Sequence, residues 1–412
     1  MSRDLVDLLV VGAGDPGPPP DVAALLRRVG RRRRRRRVLT ATAAAASLVA
    51  GGIAVDLTQR DAGRHTLVQG DERSSPTSRE AAVRPGSWRP VEIGMPGALA
   101  PYVAWTGARV LVFYEATPDQ TLVDGELYDP ATNRSKPINR GFLEWRGGAA
   151  VVWTGDELLV WGGGSGTTAM HQGGAYDPVT NRWRALPNAP SVAVEIAGEA
   201  VWTGAEMVLP GRSLAYDPRA DRWRRITASP LGPRRTSSTV WTGREVIVWG
   251  GCDVDSVQCD DASPAAAAGD GAAYDPRADH WRMLPSSPLS PRQRPQAVWT
   301  GREMIIWGGL LDRSGMGSWA AAYNPTTDSW RALPNSPFPP RADAVMAWTG
   351  QELLVWDGHD GASYDPVADR WSRLPPSPLP PRDRTGNVWT GRELYIVGGY
   401  PGEGSAAFTP TG

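Results

Sequence analysis

The chain has 412 residues, with 44 basic and 44 acidic side chains, 19 Trp, 47 Gly, 38 Pro and two Cys. Residues 1–37 hold ten Arg against four Asp, so the remainder carries 34 basic and 40 acidic side chains, a net of −6. An acidic remainder of this kind excludes a nucleic-acid binder, which needs a basic surface.

The first segment ends in seven consecutive arginines, Arg31 to Arg37, preceded by a short helical pattern from Asp21. Val38 to Val55 follows, 18 residues without a charge and rich in Ala. That length spans a bilayer, and arginines on its N-terminal side leave the N terminus in the cytoplasm. The expected organisation is a cytoplasmic segment 1–37, a transmembrane helix 38–55, a polar flexible stalk 56–85 and an extracellular domain 86–412. The expected location is the plasma membrane, crossed once. Two other readings compete. One is an arginine tract for nucleic acid, but a tract abutting an apolar stretch is more simply a topology signal. The other is a cleaved export signal, because Arg35-Arg36-Arg37-Val38-Leu39 loosely matches a twin-arginine motif. Gly52-Ile53-Ala54 would make a poor cleavage site, so an uncleaved anchor is preferred.

Beyond the stalk, Trp-Thr-Gly occurs seven times, at Trp105, Trp153, Trp202, Trp241, Trp299, Trp348 and Trp389. The period, roughly 40 to 58 residues, fits one four-stranded propeller blade. The fourth copy shows how the strands read. Val240-Trp241 and Glu245 to Trp249 are two strands joined by Thr-Gly-Arg, a hairpin turn in which Gly takes positive φ. Tyr274 ends a third strand, Asp275-Pro276 starts a turn, and Trp281 sits on a fourth that Leu-Pro and Ser-Pro terminate.

The glycine doublets are Gly162-Gly163, Gly250-Gly251, Gly308-Gly309 and Gly398-Gly399. A later Tyr (Tyr176, Tyr216, Tyr274, Tyr323, Tyr364) is followed seven residues on by Trp183, Trp223, Trp281, Trp330 or Trp371. Over about residues 86–410 this pattern resembles the kelch repeat. The repeated Trp-Thr-Gly and Tyr-Asp-Pro mark a bacterial, membrane-anchored subgroup of such galactose-oxidase-like propellers. The resemblance implies an all-β, seven-bladed kelch-like propeller. Blades 1 and 3 depart most from the pattern, through Phe113-Tyr114, Ser135 and Pro210-Gly211, and are expected to be the least regular. Most of the tryptophans read as blade-packing residues rather than a sugar-stacking platform.

The ends of the repeat region are complementary. Trp88 looks like a fourth strand with no blade before it, and the last repeat stops at Phe408-Thr409-Pro410 without one. The segment around Trp88 is therefore expected to close the last blade.

Measured from the triplets, the strand spacings are nearly constant. The step from the end of the second strand to the third-strand Tyr position is the exception, at 15, 15, 6, 25, 16, 8 and 11 residues. Loop variation on a rigid scaffold is where recognition sits, so the ligand site is expected on that face, near the central channel. Seven residues before each triplet stand Ala98, Arg146, Glu195, Arg234, Arg292, Arg341 and Arg382. One reading has these arginines satisfying carbonyls between neighbouring blades. The other makes them a basic rim for an anionic or carbohydrate ligand. Arg294, Asp343 and Arg384 break the repeat nearby. With Glu195, His171 and His359 they are the candidate ligand-binding residues.

Cys252 and Cys259 share the longest variable loop and form a local disulfide if that loop is extracellular. Asp253, Asp255, Asp260 and Asp261 match no EF-hand spacing and read as a solvated loop. No metal and no cofactor is expected. Some kelch proteins are copper oxidases with an adjacent Tyr-His pair, and no Tyr-His dipeptide occurs here. Others interconvert sialic-acid anomers with Glu and Arg, which Glu195 and the Arg ring weakly resemble. No nucleophile elbow, P-loop or zinc spacing is present. The expected activity is binding of a cell-envelope glycan or protein partner. An enzyme acting on a sugar at the channel mouth is the alternative, and it requires Glu195, Arg294, Asp343 and Arg384 to converge.

Overall fold

Seven times the chain turns back on itself at Trp-Thr-Gly, and the glycine allows it. Gly107, Gly155, Gly204, Gly243, Gly301, Gly350 and Gly391 have φ between 88° and 105°. Nothing lies within 4 Å of the position a Cβ would take at any of them. Backbone conformation, not crowding, selects glycine there. The preceding threonine locks each turn. In the fourth copy the Thr242 N–H and hydroxyl both donate to the Glu245 carbonyl at 3.0 Å, and the Glu245 N–H donates to the Thr242 hydroxyl at 2.8 Å.

The computed structural model describes residues 84–94, 101–114, 124–144, 146–165, 168–190, 199–253, 267–311, 319–339, 341–400 and 404–411. The expected cytoplasmic segment 1–37, transmembrane helix 38–55 and most of the stalk 56–85 lie outside them. Among the described residues no helix is long and apolar enough to cross a membrane. These residues form seven four-stranded antiparallel sheets, the blades of a β-propeller. Blade 4 is typical, running Ser238–Trp241, Val246–Trp249, Gly271–Asp275 and His280–Met283 in that spatial order. First strands of successive blades neighbour one another around the ring, so they line the central channel. Second strands are buried on both faces, as in Val246–Trp249 and Met304–Trp307, and accordingly read as unbroken apolar runs.

The last blade, Gly386–Trp389, Leu394–Val397 and Ser405–Thr409, takes Ser87–Val91 as its fourth strand, with Trp88 opposite Phe408. The expected closure is what the chain forms. Blade 1 is a full four-stranded sheet despite its unusual sequence. Blade 3 is irregular as expected: its first strand is only Val201–Trp202, and its second, Met207–Leu209, runs into a 3-10 turn at Pro210–Arg212.

Every hydrophobic cluster joins two consecutive blades. Val208 and Ala215 of blade 3, for example, pack with Val246, Ala272 and Tyr274 of blade 4. The fourth-strand tryptophans add a polar stitch across the same seams. Trp88, Trp183, Trp223, Trp281, Trp330 and Trp371 each donate an indole N–H, at 2.8–3.0 Å, to a carbonyl of the preceding blade. Where blade 1 has Ser135 instead, its hydroxyl donates to the corresponding Glu92 carbonyl at 3.2 Å. The triplet tryptophans are only half-buried and sit at the edge of these clusters, unlike Trp249, Trp307 and Trp356, which are fully buried.

A second seam device is ionic. Arg282 of blade 4 forks onto Glu245 of its own blade at 2.9 and 2.8 Å. It also donates to the Tyr323 hydroxyl (2.9 Å) and pairs with Asp328 (3.0 Å), both in blade 5. Arg89, Arg184, Arg224 and Arg331 repeat the arrangement with Glu393, Glu157, Glu206 and Glu303, reaching Tyr128, Tyr216, Tyr274 and Tyr364 of the next blade. At the seam of blades 6 and 7 Ser372 replaces the arginine and Phe408 the tyrosine, so both partners are dropped together. The strong bidentate pair holds each arginine within its own blade, and its single bonds to the next blade's tyrosine, and in some seams aspartate, link the blades toward the turn face.

A candidate ligand cleft on the loop face

On the loop face, the segment entering a blade meets that blade's own second-to-third-strand loop. Arg234–Arg235 pairs with Cys252–Asp253, and Arg292–Gln293 with Leu310–Leu311. Single bridges link Gly147 to Gly164 and Asp383 to Tyr400 in blades 2 and 7. The second glycine of the doublet permits this approach: a Cβ on Gly251, at φ 89°, would lie 2.6 Å from the Arg235 carbonyl oxygen.

The ring arginines serve these loops. Arg146, Arg292 and Arg382 are buried at 1%, 0% and 5% exposure. Each donates Nη1 to the carbonyl of the first doublet glycine (Gly162, Gly308, Gly398) at 3.0–3.1 Å, and also to a carbonyl just before the third strand. Burial lowers the pKa of Arg292 to about 10. Arg234 does the same for Gly250 and Asp270 at 3.3 Å. These carbonyls belong to the arginine's own blade, while the main chain of Arg292 bonds to Gly251 and Ala268 of the blade before it. Buried in this way, the ring is no basic rim. Blade 6 differs: it has Asp357 in place of the first glycine, and exposed Arg341 meets its carboxylate at 3.3 Å.

Two residues past the ring position the backbone is left-handed in five blades, at Gly148, Thr236, Arg294, Asp343 and Arg384, with φ from 50° to 67°. Arg294 and Asp343, of neighbouring blades, pair at 3.0 Å, and the Arg294 N–H donates to the Thr236 carbonyl at 2.9 Å. Arg384 is exposed. Glu195 lies outside the described residues. Of the expected cluster, then, the structure pairs Arg294 with Asp343 and joins neither to Arg384. His171 and His359 are exposed in blades 2 and 6, and His359 sits 3.4 Å from Asp360. Among the described residues no group of three or more His, Cys, Asp or Glu side chains is placed to hold a metal. Cys252 is fully buried and disulfide-bonded. The chain's other cysteine, Cys259, is outside the described residues.

Thr236 combines two unfavourable features: a β-branched side chain at φ 57° and a buried hydroxyl oxygen with no partner among the described residues. Blade 2 already places Gly148 there. Thr236→Gly is therefore expected to raise stability by about 1 kcal/mol, relief of strain and of the orphan hydroxyl outweighing the added chain entropy. The urea midpoint measures this, and a lower midpoint would show that the hydroxyl or the turn has another partner.

The cleft itself follows from loop length. Blade 3 has the shortest second-to-third-strand step, six residues, closed by the tight turn at Pro210–Arg212. A small open cleft remains between it and blade 4. Pro210, Leu231, Pro233 and Val248 give it apolar walls, and Glu199, Ser237 and Thr239 a polar floor. The Ser237 hydroxyl donates to Glu199 Oε2 at 2.5 Å, and the Thr239 hydroxyl to the same oxygen at 3.3 Å. Burial pushes the Glu199 carboxyl up to about 7, and the two hydroxyl bonds only partly oppose the shift. Among the described residues no cation pairs with Glu199.

Glu199 was not among the residues selected from sequence. It stands three residues before Trp202, where the other blades have Tyr102, Ala150, Ser238, Gln296, Val345 and Gly386. That it is the one acid in this column is a signal the triplet spacing could have given. No protein-family model and no curated protein matches the chain.

Proposed function

We propose that the chain is a kelch-type binding module, anchored in the plasma membrane through residues 38–55, that recognises a cell-envelope glycan or protein partner outside the cell. The observation that carries the reading is the open cleft of blades 3 and 4, where a carboxyl and two hydroxyls face space on the variable-loop face. A few convergent polar groups beside apolar walls are a usual feature of ligand sites. The Cys252 disulfide supports an oxidising, extracytoplasmic setting. The pairing of Arg294 with Asp343 favours binding over sugar chemistry, because the convergent charges that such chemistry needs are engaged with each other.

The test is capture of envelope glycans and proteins by the full chain and two variants. Gly211→Trp fills the cleft at a site where a Cβ meets only the Arg234 carbonyl oxygen, at 3.5 Å. Val367→Trp alters a turn-face residue that is 95% exposed. Binding is expected to be lost in the first and kept in the second. Capture that survives Gly211→Trp but fails with Val367→Trp would place recognition on the wrong face and overturn the reading.

A further inference from the structure

The geometry points to a slot for an arginine side chain of a partner protein, on the turn face at the seam of blades 6 and 7. This site is separate from the loop-face cleft and does not rest on it. Five seams share one arrangement, in which a fourth-strand arginine forks onto the glutamate that follows its blade's triplet turn, as Arg282 does onto Glu245. Blade 6 keeps the glutamate, Glu352, and has Ser372 where the arginine would stand. Blade 1, the other exception, has Arg109 in the glutamate's place and Lys136 in the arginine's. Blade 6 alone therefore retains the acid of the pair without its cation.

Glu352 is held as its counterparts are. Thr349 donates its N–H and hydroxyl to the Glu352 carbonyl at 3.0 Å and accepts from the Glu352 N–H at 3.0 Å, matching Thr242 and Glu245. Its half-buried carboxylate has no hydrogen-bond or ion-pair partner among the described residues. Arg373, next to Ser372, is engaged elsewhere: Nη2 donates to the Pro337 carbonyl at 2.7 Å, and Nη1 lies 3.9 Å from Asp360. Ser363 stands opposite Ser372, where the five arginines each face an alanine. Ser372 is exposed, whereas Arg184, Arg224, Arg282 and Arg331 are half-buried at the same position. The slot thus offers a carboxylate placed as in five guanidinium sites, with two hydroxyls on the strands beside it. A guanidinium matches this set, because two of its N–H groups fork onto the carboxylate and others remain for the hydroxyl oxygens. A lysine ammonium is a point charge and makes no such fork.

The experiment is saturation-transfer NMR of the full chain at neutral pH with the capped peptide Gly-Arg-Gly, and with the same peptide carrying lysine or citrulline in place of arginine. Expected is binding of the arginine peptide at least about tenfold tighter than of either analogue, with Glu352→Gln abolishing the preference. Ser372→Arg is expected to abolish it too, because the chain then fills its own slot. That variant should also melt about 1–3 °C higher, a gain that Glu352→Gln cancels. No binding of the arginine peptide overturns the inference, as does equal binding of the lysine peptide. A preference that survives Ser372→Arg, or a Ser372→Arg variant with no gain in melting temperature, does the same. Sedimentation of the chain alone tests the occupant: self-association that Glu352→Gln abolishes would make it a second copy of this chain and overturn the assignment to a separate partner.

Discussion

Removing residues 84–92 is expected to prevent stable folding of the whole propeller, although the deletion touches one strand of one blade. Ser87–Val91 pairs with Ser405–Thr409 along its full length, and without it that strand becomes an open edge, a template for aggregation. Trp88 packs on Phe408 at a centroid distance of 5.0 Å and donates its indole N–H to the Pro375 carbonyl of blade 6. Trp88 is half-buried, so its loss costs less than the about 3–5 kcal/mol of a fully buried aromatic. Arg89 forks onto Glu393 at 2.8 and 2.9 Å and donates to the Tyr395 hydroxyl at 2.6 Å. Its loss strands Glu393, which is 6% exposed, at a further cost of about 3–5 kcal/mol. Together these approach the whole stability of an ordinary domain, about 5–15 kcal/mol. Chains starting at residue 84 and at residue 93, compared by circular dichroism and thermal melting, provide the check. A cooperative melt at the same temperature for both would show that the ring does not depend on this strand. Arg89→Ala separates the terms and is expected to cost about 3 kcal/mol.

The repeat made the ring legible because its signals are local. A Trp-Thr-Gly turn needs only its own glycine and threonine, and each copy reports the same turn without reference to anything distant. Closure by Trp88 was legible because a missing strand and a spare strand are both visible in the repeat count. The seam network was not, although its residues recur in every full copy. Arg282 and Glu245 belong to one blade but Tyr323 to the next, and spacing along the chain does not say which side chains meet across a seam. The paired loss of Arg and Tyr at Ser372 and Phe408 reads as coincidence until blade 6 is seen against blade 7. For the ring arginines, sequence supplied the residue type and position, and the structure supplied carbonyls of a single blade as their side chains' partners. Glu199 escaped for a different reason. What sets it apart is desolvation beneath a short loop, and desolvation is a property of the surroundings that no motif encodes.

Glu199→Gln is expected to stabilise the folded chain by about 2–3 kcal/mol at pH 8 and by almost nothing at pH 4. The buried carboxyl titrates near 7, against an ordinary value of 4.5. Below pH 4.5 the group is protonated in folded and unfolded chains alike, so its ionisation contributes nothing. Between 4.5 and 7 the unfolded chain releases the proton while the folded chain retains it, and stability falls as the pH rises. Above 7 both are ionised and the penalty is complete. A gap of 2.5 pH units corresponds to at most about 3.4 kcal/mol, reduced here because Glu199 keeps some exposure to water. Glutamine carries no charge to desolvate, and its amide oxygen still accepts from Ser237. Urea midpoints of parent and variant across this pH range are therefore expected to converge in acid and separate above neutrality. A difference independent of pH would mean that the carboxyl is not desolvated in the folded state. Ser237→Ala, which removes a bond that favours the ionised form, should carry the upper end of the window to higher pH. Above neutral pH the fold would be more stable with an uncharged side chain at this position, and the chain carries an acid. Sites that keep a destabilising charge are where function is set against stability, which singles out Glu199 rather than the guanidinium ring as the first residue to test for binding.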